Sequence, residues 1–495
     1  MKFQTKKIDE LTSSCTIIFI FEDNDEKSNL FNKFDELTNG ELSKQIYDYK
    51  VINGKYLETF KYSIDKTNKV IVTGLGKKSQ LTRKKLSIAI TNATRQAKAN
   101  CSNGIIGIEL ITNSKEGNMI SEKDSAQISL TASRIGLYTF NKYISDKNNE
   151  NSDKIETIEL ICNDITKDIE LGAEIGAFTS FAMKFTKDLV NESAQIVTPR
   201  YVANLAEQIA HEHKLEAKIY NKAQIKDLGM NAFLAVGQGS CHEPYFVHLT
   251  YKPKSEPKRK IALVGKGITF DAGGMNIKPA TSMLNMKDDM TGAASVLGII
   301  QAIAKLKPDI ELHVITALCE NMTSGTAYKQ GDVLEAMNGK TIEVTNTDAE
   351  GRITLADALS YCNNLEVDEV IDIATLTGAV ITALGTNITG IMGNNQKQID
   401  NFKKIAEYSC ENVWQMPIFD ELKDNLKSEI ADFKNTGGKN AGTSTAAWFL
   451  SNFTNSKSWL HLDIAGTAYL EKSNKETLQG PTGVMIRSLI NYILS

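Results

Sequence analysis

Short apolar runs alternate with longer stretches of helical periodicity along the 495-residue chain. In the first third, the segments 83–99 and 126–141 place apolar residues at helical spacing. The runs between such segments are short and rich in β-branched residues, and this alternation predicts an α/β domain with a sheet of its own. Its strands are expected at residues 16–21, 70–73, 105–111 and 155–161.

The same alternation continues to the C-terminus and predicts a second, larger α/β domain. Its central sheet should be mixed, mostly parallel and covered by helices on both faces. We expect the chain to divide near residue 165, into domains 1–165 and 166–495, with a polar connection at 148–153 and a helix at 168–191. The strands of the second domain are expected near 217–220, 246–251, 261–264, 311–318 and 370–374.

Two acids and an arginine crowd the turn from Asn346 to Arg352. Asp348, Glu350 and Arg352 follow one another at every second position, an arrangement suited to holding hard cations beside a bound anion. The alternative is a polar turn that caps a helix starting near Ile353, because acids are favoured at helix starts. The turn alone does not decide between these interpretations.

A second charged cluster follows the apolar run 261–264, which is typical of a buried strand ending at Gly265. Open α/β sheets bind ligands beyond the carboxyl ends of their strands, so the residues after this run are well placed for chemistry. The cluster ends at a helix of small and apolar residues. Its charged members are Lys266, Asp271, Lys278, Lys287, Asp288 and Asp289.

Both clusters together would bring four carboxylates into one site. Without cations, Asp271, Asp289, Asp348 and Glu350 would repel one another and raise their own pKa values. Two divalent ions would remove the conflict, lower the pKa of a bridging water and polarise a substrate carbonyl. The six histidines are scattered and form no His-Glu-x-x-His motif, so we expect them to be surface or packing residues.

Ordered motifs in both clusters resemble the signature of the cytosolic leucyl aminopeptidase family. The resemblance covers most of residues 170–495, while the first third carries no comparable signature. The motifs that carry it are Lys266 to Gly274, Lys278-Pro279, Met286-Lys287 with Asp289-Met290, Asn346 to Arg352, Asp372 to Gly378 and His461 to Gly466.

The resemblance implies a two-metal aminopeptidase site in the larger, catalytic domain. One ion would be held by Lys266, Asp271, Asp289 and Glu350, and the other by Asp271, Asp348 and Glu350 with the Asp348 carbonyl. A lysine ligand must be a neutral amine, which a nearby cation enforces. Ligands of this kind accept Mn or Zn, with Co or Mg as alternatives.

The family also implies roles for two positively charged side chains that are not metal ligands. Lys278 would stabilise the oxygen of the tetrahedral gem-diolate, and Arg352 would hold a bicarbonate that relays a proton from the metal-bound water. A protein carboxylate acting as general base stays open as an alternative. Asp288 is the candidate by position, although we expect it to face away from the site.

Substrate contacts are expected after the strand at 370–374 and around the two clusters. By resemblance, Thr375, Leu376 and Gly378 hold the peptide, and Asn346 adds a polar contact. Met286 would form a wall of the pocket for leucine-like or methionine side chains, or else fill the core. The substrate α-amino group would coordinate one metal, which limits cleavage to one N-terminal residue.

Composition is that of a globular protein, with 41% hydrophobic and 23% charged residues. The net charge of −4 does not favour nucleic-acid binding. The seven cysteines are dispersed, which is typical of reduced thiols in the cytoplasm. The N-terminal apolar run 16–21 is too short for an export or membrane segment, so we expect neither.

Three expectations concern partners and alternatives. The resemblance implies a homohexamer built from two trimers. Two other activities stay open, namely hydrolysis of Cys-Gly or other dipeptides and DNA binding by the N-terminal domain, although its basic cluster at 77–85 is more typical of a solvated helix start. The glycine-rich stretch 437–445 is expected to be a solvated loop at the rim of the site or at a subunit contact.

Overall fold

The computed structural model describes residues 1–23, 26–113, 119–145, 155–455 and 457–495. The chain forms two compact units, Met1–Phe181 with Lys472–Leu478 and Ala182–Glu471 with Gln479–Ser495. The units divide inside the helix Lys167–Asn191, later in the chain than the expected position 165. The polar connection expected at 148–153 lies outside the described residues.

The first unit contains a largely parallel sheet within its described residues. The strand order is β1-β6-β5-β2-β4-β3, and only β3 runs antiparallel to its neighbour. The strands are β1 Lys2–Lys7, β2 Cys15–Ile20, β3 Thr59–Ser63, β4 Lys69–Gly74, β5 Ile105–Glu109 and β6 Thr157–Cys162. The helices are α1 Asn29–Leu37, α2 Glu41–Ser43, α3 Arg83–Lys98, α4 Glu122–Leu137 and α5 Lys167–Asn191.

The core of the first unit lies on both faces of β2, whose residues are all buried. Thr82 and Ser121 begin α3 and α4 by accepting backbone hydrogen bonds in their first turns, as good N-cap residues do. The basic cluster at 77–85 therefore coincides with a helix start. The expectation of an α/β domain with its own sheet is confirmed.

The second unit is built around a mixed sheet in the order β15-β14-β17-β13-β9-β10-β8-β7. Its centre, β17-β13-β9-β10, is parallel, as expected. The strands are β7 Glu216–Tyr220, β8 Tyr245–Tyr251, β9 Lys260–Asp271, β10 Glu311–Asn321, β11 Val333–Glu335, β12 Thr341–Glu343, β13 Glu369–Ala374, β14 Thr389–Gly393, β15 Val413–Gln415, β16 Phe433–Lys434, β17 Ser458–Asp463, β18 Tyr469–Leu470 and β19 Gly480–Pro481.

Helices cover this sheet and bury its apolar strands. Because the central strands are parallel, their carboxyl ends meet at one edge, where open α/β sheets bind ligands. The helices are α6 Pro199–His213, α7 Lys222–Asp227, α8 Asn231–Gly237, α9 Ala280–Met283, α10 Thr291–Leu306, α11 Glu350–Cys362, α12 Gly378–Leu384, α13 Gln396–Tyr408, α14 Gly442–Ser451 and α15 Ile486–Leu494.

Strand β9 is longer than the sequence predicted, and this corrects the position of two site residues. Lys266 and Asp271 lie in the strand itself, not in a loop after Gly265. A Cβ added to Gly265 would lie 2.5 Å from the carbonyl oxygen of Gly292 at the start of α10. Gly265 therefore permits close approach of a helix to the sheet, whereas the prediction interpreted it as the end of the strand.

Two helix starts also differ from the predictions. Helix α11 begins at Glu350, not near Ile353, so the end of the acidic turn forms its first turn. Helix α14 begins at Gly442, and Thr443, Ser444 and Thr445 are buried in it, so the expectation of a solvated loop through residue 445 was wrong. Small side chains here allow α14 to pack within the core, which composition alone did not reveal.

None of the helices in the described part of the chain combines the length and the apolar character that crossing a membrane requires.

Candidate active site

Six charged side chains predicted from the sequence meet at the carboxyl edge of the central sheet. Strand β9 supplies Lys266 and Asp271, and the loop after it supplies Lys278. Asp289 lies just before α10. The turn into α11 supplies Asp348 and Glu350, so the two charged clusters of the sequence form a single site.

Each lysine of the site contacts two carboxylates. The Lys266 Nζ lies 2.6 Å from Asp289 Oδ1 and 2.9 Å from Glu350 Oε1. The Lys278 Nζ lies 2.8 Å from Asp271 Oδ2. It also lies 2.6 Å from one carboxylate oxygen of Asp348. The two cations therefore offset part of the repulsion among four acids.

The four carboxyl groups differ in how far the lysines offset the effects of burial and repulsion on their pKa values. Burial raises the pKa of Asp271 to about 7, and Glu350 adds to the increase. Burial also raises the pKa values of Asp289 and Asp348. For Glu350 burial acts in the same direction, but Lys266 and Lys278 outweigh it and its pKa is lowered. Three of the four carboxyls thus gain from additional positive charge.

The lysines themselves are stabilised as ammonium ions by the acids. Burial lowers the pKa of Lys266, but Asp289 and Glu350 outweigh burial and the pKa is raised. The pKa of Lys278 is raised in the same way, mainly by Asp271. A neutral Lys266 amine would therefore need a stronger cation beside it than the protein supplies.

The donor set fits divalent cations. One oxygen from each of Asp271, Asp348 and Glu350 lies within 4.8 Å of the other two, as ligands around an ion must. Within the described residues, Asp289 Oδ2 and Glu350 Oε2 are buried and have no hydrogen-bond partner. A buried carboxylate oxygen without a partner is costly, and a hard cation is the partner that oxygen ligands prefer.

Arg352 lies in the first turn of α11, two residues after Glu350, and is 7% exposed. Its Nη1 donates to the carbonyl oxygen of Asn435 at 2.7 Å. Its Nε is buried and, in the part of the chain that the structure describes, has no hydrogen-bond partner. Burial lowers the pKa of Arg352 to about 10, while Glu350 and Asp463 oppose the decrease, so the guanidinium stays charged at neutral pH.

The segment after β13 is joined to the charged cluster. Thr375 Oγ1 donates to Asp289 Oδ1 at 2.9 Å. The Thr375 carbonyl oxygen accepts a hydrogen bond from Lys266 Nζ at 2.9 Å. Leu376 packs against the main core of this unit, and Gly378 begins α12 with its surface exposed. The predicted substrate segment therefore begins within the site.

The other predicted contacts lie beside the ligands in the chain. Met286 and Asp288 are half-buried in the 3-10 turn that precedes Asp289. Asn346 Oδ1 accepts a hydrogen bond from the backbone N–H of Asp348 at 2.8 Å, which fixes the acidic turn. Burial raises the pKa of Asp288 to about 6 and Lys266 opposes it, so Asp288 lies within electrostatic reach of the site.

Sequence reasoning missed several neutral residues that hold the site together. Asn321 Nδ2, at the end of β10, donates to Asp271 Oδ1 at 2.8 Å and to the Thr347 carbonyl oxygen at 2.9 Å. Tyr328 donates to the same carbonyl at 2.7 Å. Thr347 Oγ1 donates to the Gly273 carbonyl oxygen at 2.7 Å. The strand-exit position of Asn321 was the available signal.

Comparison with known proteins identifies the family. The profile described as "Cytosol aminopeptidase family, catalytic domain" matches residues 184–490. The profile of the N-terminal domain of that family matches residues 17–147. The chain belongs to the cytosol aminopeptidase family.

Two bacterial relatives of the family are similar along most of their length. A protein of Sulfurihydrogenibium sp. named "Probable cytosol aminopeptidase" is 40% identical over 495 residues, which cover 99% of this chain and 97% of that protein. One of Aquifex aeolicus with the same name is 41% identical over 430 residues, which cover 86% of this chain and 84% of the relative.

Solved structures of similar fold extend the comparison. A mutant of tomato leucine aminopeptidase matches with a TM-score of 0.87 at 33% identity, covering 100% of this chain and 96% of that chain. The bottromycin maturation enzyme BotP in complex with Mn matches with a TM-score of 0.85 at 27% identity, covering 98% of this chain and 99% of that chain. As a member of the cytosol aminopeptidase family, the chain is a metal-dependent N-terminal exopeptidase.

Proposed function

We propose that this aminopeptidase releases leucine-like residues and methionine from the N-termini of peptides at a site for two divalent cations. The observation that carries the proposal is the cluster of Asp271, Asp348 and Glu350, whose oxygens lie within 4.8 Å of one another beside two lysines. When bound, the metal ions lower the pKa of a water molecule and polarise the scissile carbonyl.

The buried acids divide between two ions in this proposal. Asp289 and Lys266 would hold one ion and Asp348 the other, with Asp271 and Glu350 shared between them. The unpartnered oxygens of Asp289 and Glu350 support the assignment. Lys266 would lose its proton when a metal binds. The acids favour the ammonium form, whereas a metal ion beside the nitrogen favours the neutral amine.

Lys278 is the proposed donor to the developing oxyanion. Its Nζ is an ammonium at neutral pH and stays 14% exposed, so a substrate oxygen can reach it. A fixed positive charge stabilises the tetrahedral species more than the planar carbonyl, because negative charge grows on that oxygen. The ion pairs with Asp271 and Asp348 keep the side chain in position.

Arg352 is proposed to hold a bicarbonate that moves a proton during the reaction. The unpartnered Nε supports this role, since a planar guanidinium has donors suited to a carboxylate-like anion. The carbonyl oxygen of Asn435 accepts a hydrogen bond from Nη1 and thereby fixes the plane of the guanidinium. The half-buried Asp288 is the alternative general base within reach of Lys266.

The segment after β13 and the turn before α10 are proposed to bind the substrate. Thr375, Leu376 and Gly378 would contact the peptide, and Asn346 would add a polar contact. Met286 would line the pocket for the N-terminal side chain, where its flexible thioether accommodates leucine and methionine. Its half-buried position supports access from the site.

Several finer properties belong to the same proposal. We propose Mn or Zn as the metals, with Co or Mg as substitutes, because oxygen ligands with one amine accept each of them. A homohexamer and a cytoplasmic location are proposed from membership of the family. DNA binding is not proposed, since Arg83 of the basic cluster is paired with Asp124 at 2.7 Å.

Hydrolysis of defined substrates tests the proposed function. Leucyl and methionyl amides should be cleaved, N-acetylated leucinamide should not, and chelation should abolish activity that Mn²⁺ or Zn²⁺ restores. Asp348→Ala should lose activity under all of these conditions. Cleavage of the acetylated substrate, or full activity of Asp348→Ala, would contradict the proposal. Faster cleavage of Cys-Gly than of leucyl peptides would favour dipeptide turnover instead.

A further inference from the structure

Asp463 ends β17 at the same sheet edge as the charged cluster but contacts none of its lysines in the described structure. Its side chain is 1% exposed and accepts four hydrogen bonds. Oδ1 accepts from the backbone N–H groups of Leu376 at 3.2 Å, Thr377 at 3.4 Å and Ala465 at 3.3 Å. Oδ2 accepts from Thr377 Oγ1 at 2.6 Å.

These contacts fix a segment that the sheet no longer holds. Strand β13 ends at Ala374, where pairing with β17 stops. Thr375 is then held from the side of the charged cluster, by Lys266 and Asp289. Asp463 holds the next two residues, Leu376 and Thr377. The segment is therefore anchored at both of its ends.

Thr377 connects this anchor to the following helix. Its hydroxyl donates to Asp463 and accepts a hydrogen bond from the backbone N–H of Val380 at 3.1 Å, which caps α12. It also lies 3.0 Å from the hydroxyl of Thr443 on α14. Loss of the carboxylate would thus release the segment and remove one partner of the hydroxyl that caps α12, which begins at Gly378.

We propose that Asp463 is a positioning residue for substrate binding, which clamps the segment from Thr375 to Gly378 in the conformation that receives the peptide. The proposal rests on the proposed role of this segment in substrate contact. Asp463 does not touch the reacting atoms. Its effect should fall on binding, because the oxyanion donor and the carboxylate cluster keep their own contacts.

The test compares kcat and KM of Asp463→Asn and Thr377→Val on leucinamide. An amide in place of the carboxylate leaves a neutral oxygen to accept the backbone N–H groups, which weakens these charge-assisted hydrogen bonds. We expect KM to rise about tenfold with kcat within threefold of wild type, since hydrogen bonds to charged groups contribute more than those to neutral groups. Thr377→Val should raise KM about threefold to tenfold.

A double variant and a matched control distinguish loss of the clamp from non-specific destabilisation of the site. In Asp463→Asn/Thr377→Val, the increase in KM should be smaller than the product of the two single increases, because both changes act on the bond between residues 463 and 377. Thr443→Val removes the other hydroxyl partner of Thr377 and should leave KM within twofold. Metal content, measured by mass spectrometry, should stay at the wild-type value in all variants.

Other outcomes overturn the proposal. Unchanged KM in Thr377→Val, a decrease of kcat alone, or independent effects in the double variant would each do so. If Asp463→Asn fails to fold, Thr377→Val and its control decide. Leu376→Ala distinguishes failure of the clamp from failure of the proposed function. If its KM is unchanged, the segment does not bind substrate and the proposed function itself must be revised.

Discussion

Replacement of Lys278 by methionine should separate the chemical step from metal binding. Methionine keeps the length and apolar volume of the side chain but removes the ammonium that lies 2.8 Å from Asp271 and 2.6 Å from Asp348. If Nζ donates to the oxyanion, its loss should cost about 2.7–4 kcal/mol of transition-state stabilisation, which is about 10²–10³ in kcat.

The same ammonium also lowers the pKa of Asp271, but burial and Glu350 outweigh it, so the net shift is upward. Lys278→Met should therefore move the acidic limb of the pH profile to higher pH. Steady-state hydrolysis of leucinamide from pH 6 to pH 9 measures both effects.

Lys287→Met is the matched control for this prediction. Lys287 lies nine positions later in the sequence, and its Nζ donates to the carbonyl oxygen of Asn191 at 2.6 Å instead of pairing with the site. Its kcat should stay within threefold of wild type. A similar loss in both variants, or a kcat of Lys278→Met within threefold of wild type at equal metal content, would refute the oxyanion role.

Three further predictions follow from burial and packing. Apparent Mn²⁺ affinity, measured by isothermal titration, should fall about tenfold more per pH unit below pH 7 than above it, because burial raises the pKa of Asp271 to about 7 and metal must displace that proton in addition to the one on Lys266; equal slopes above and below pH 7 would contradict this. Burial lowers the pKa of His248 to about 3, so between pH 6.5 and pH 5 only the unfolded chain protonates this imidazole, and the free energy of unfolding decreases as pH falls. Urea titrations should show a loss of about 2 kcal/mol from pH 6.5 to pH 5 that is absent in His248→Gln. The same dependence of stability on pH in that variant would count against the prediction. Gly265→Ala should destabilise by about 1–3 kcal/mol through overpacking, while Gly325→Ala, with open space around its Cβ, should not; equal values for the two would refute the packing argument.

Charge and spacing predicted most of the candidate site, because ionic groups cluster in the sequence as they do in space. The turn from Asn346 to Arg352 and the segment from Lys266 to Asp289 each carry several charges within a few residues. Strand periodicity predicted that the segment after Gly265 would lie at the edge of a parallel sheet, and the family resemblance joined the turn to it. The structure brings their lysines and carboxylates within hydrogen-bond distance.

The neutral residues and exact element ends could not be predicted in the same way. Asn321 and Tyr328 act through contacts with groups far away in the sequence, and no local pattern predicts such contacts. Strand β9 was predicted too short because Gly265 has the same local signature in a turn and in a close helix–sheet contact. Tertiary packing decides between these cases.

Metal stoichiometry shows whether this carboxylate cluster binds two ions. Equilibrium dialysis against Mn²⁺ at pH 8, followed by elemental analysis, should give two ions per chain for the wild type. Asp348→Asn should retain fewer than two ions and lose leucinamide hydrolysis in parallel. Two ions and undiminished activity in Asp348→Asn, or one ion in a fully active wild type, would contradict a two-metal site at this cluster.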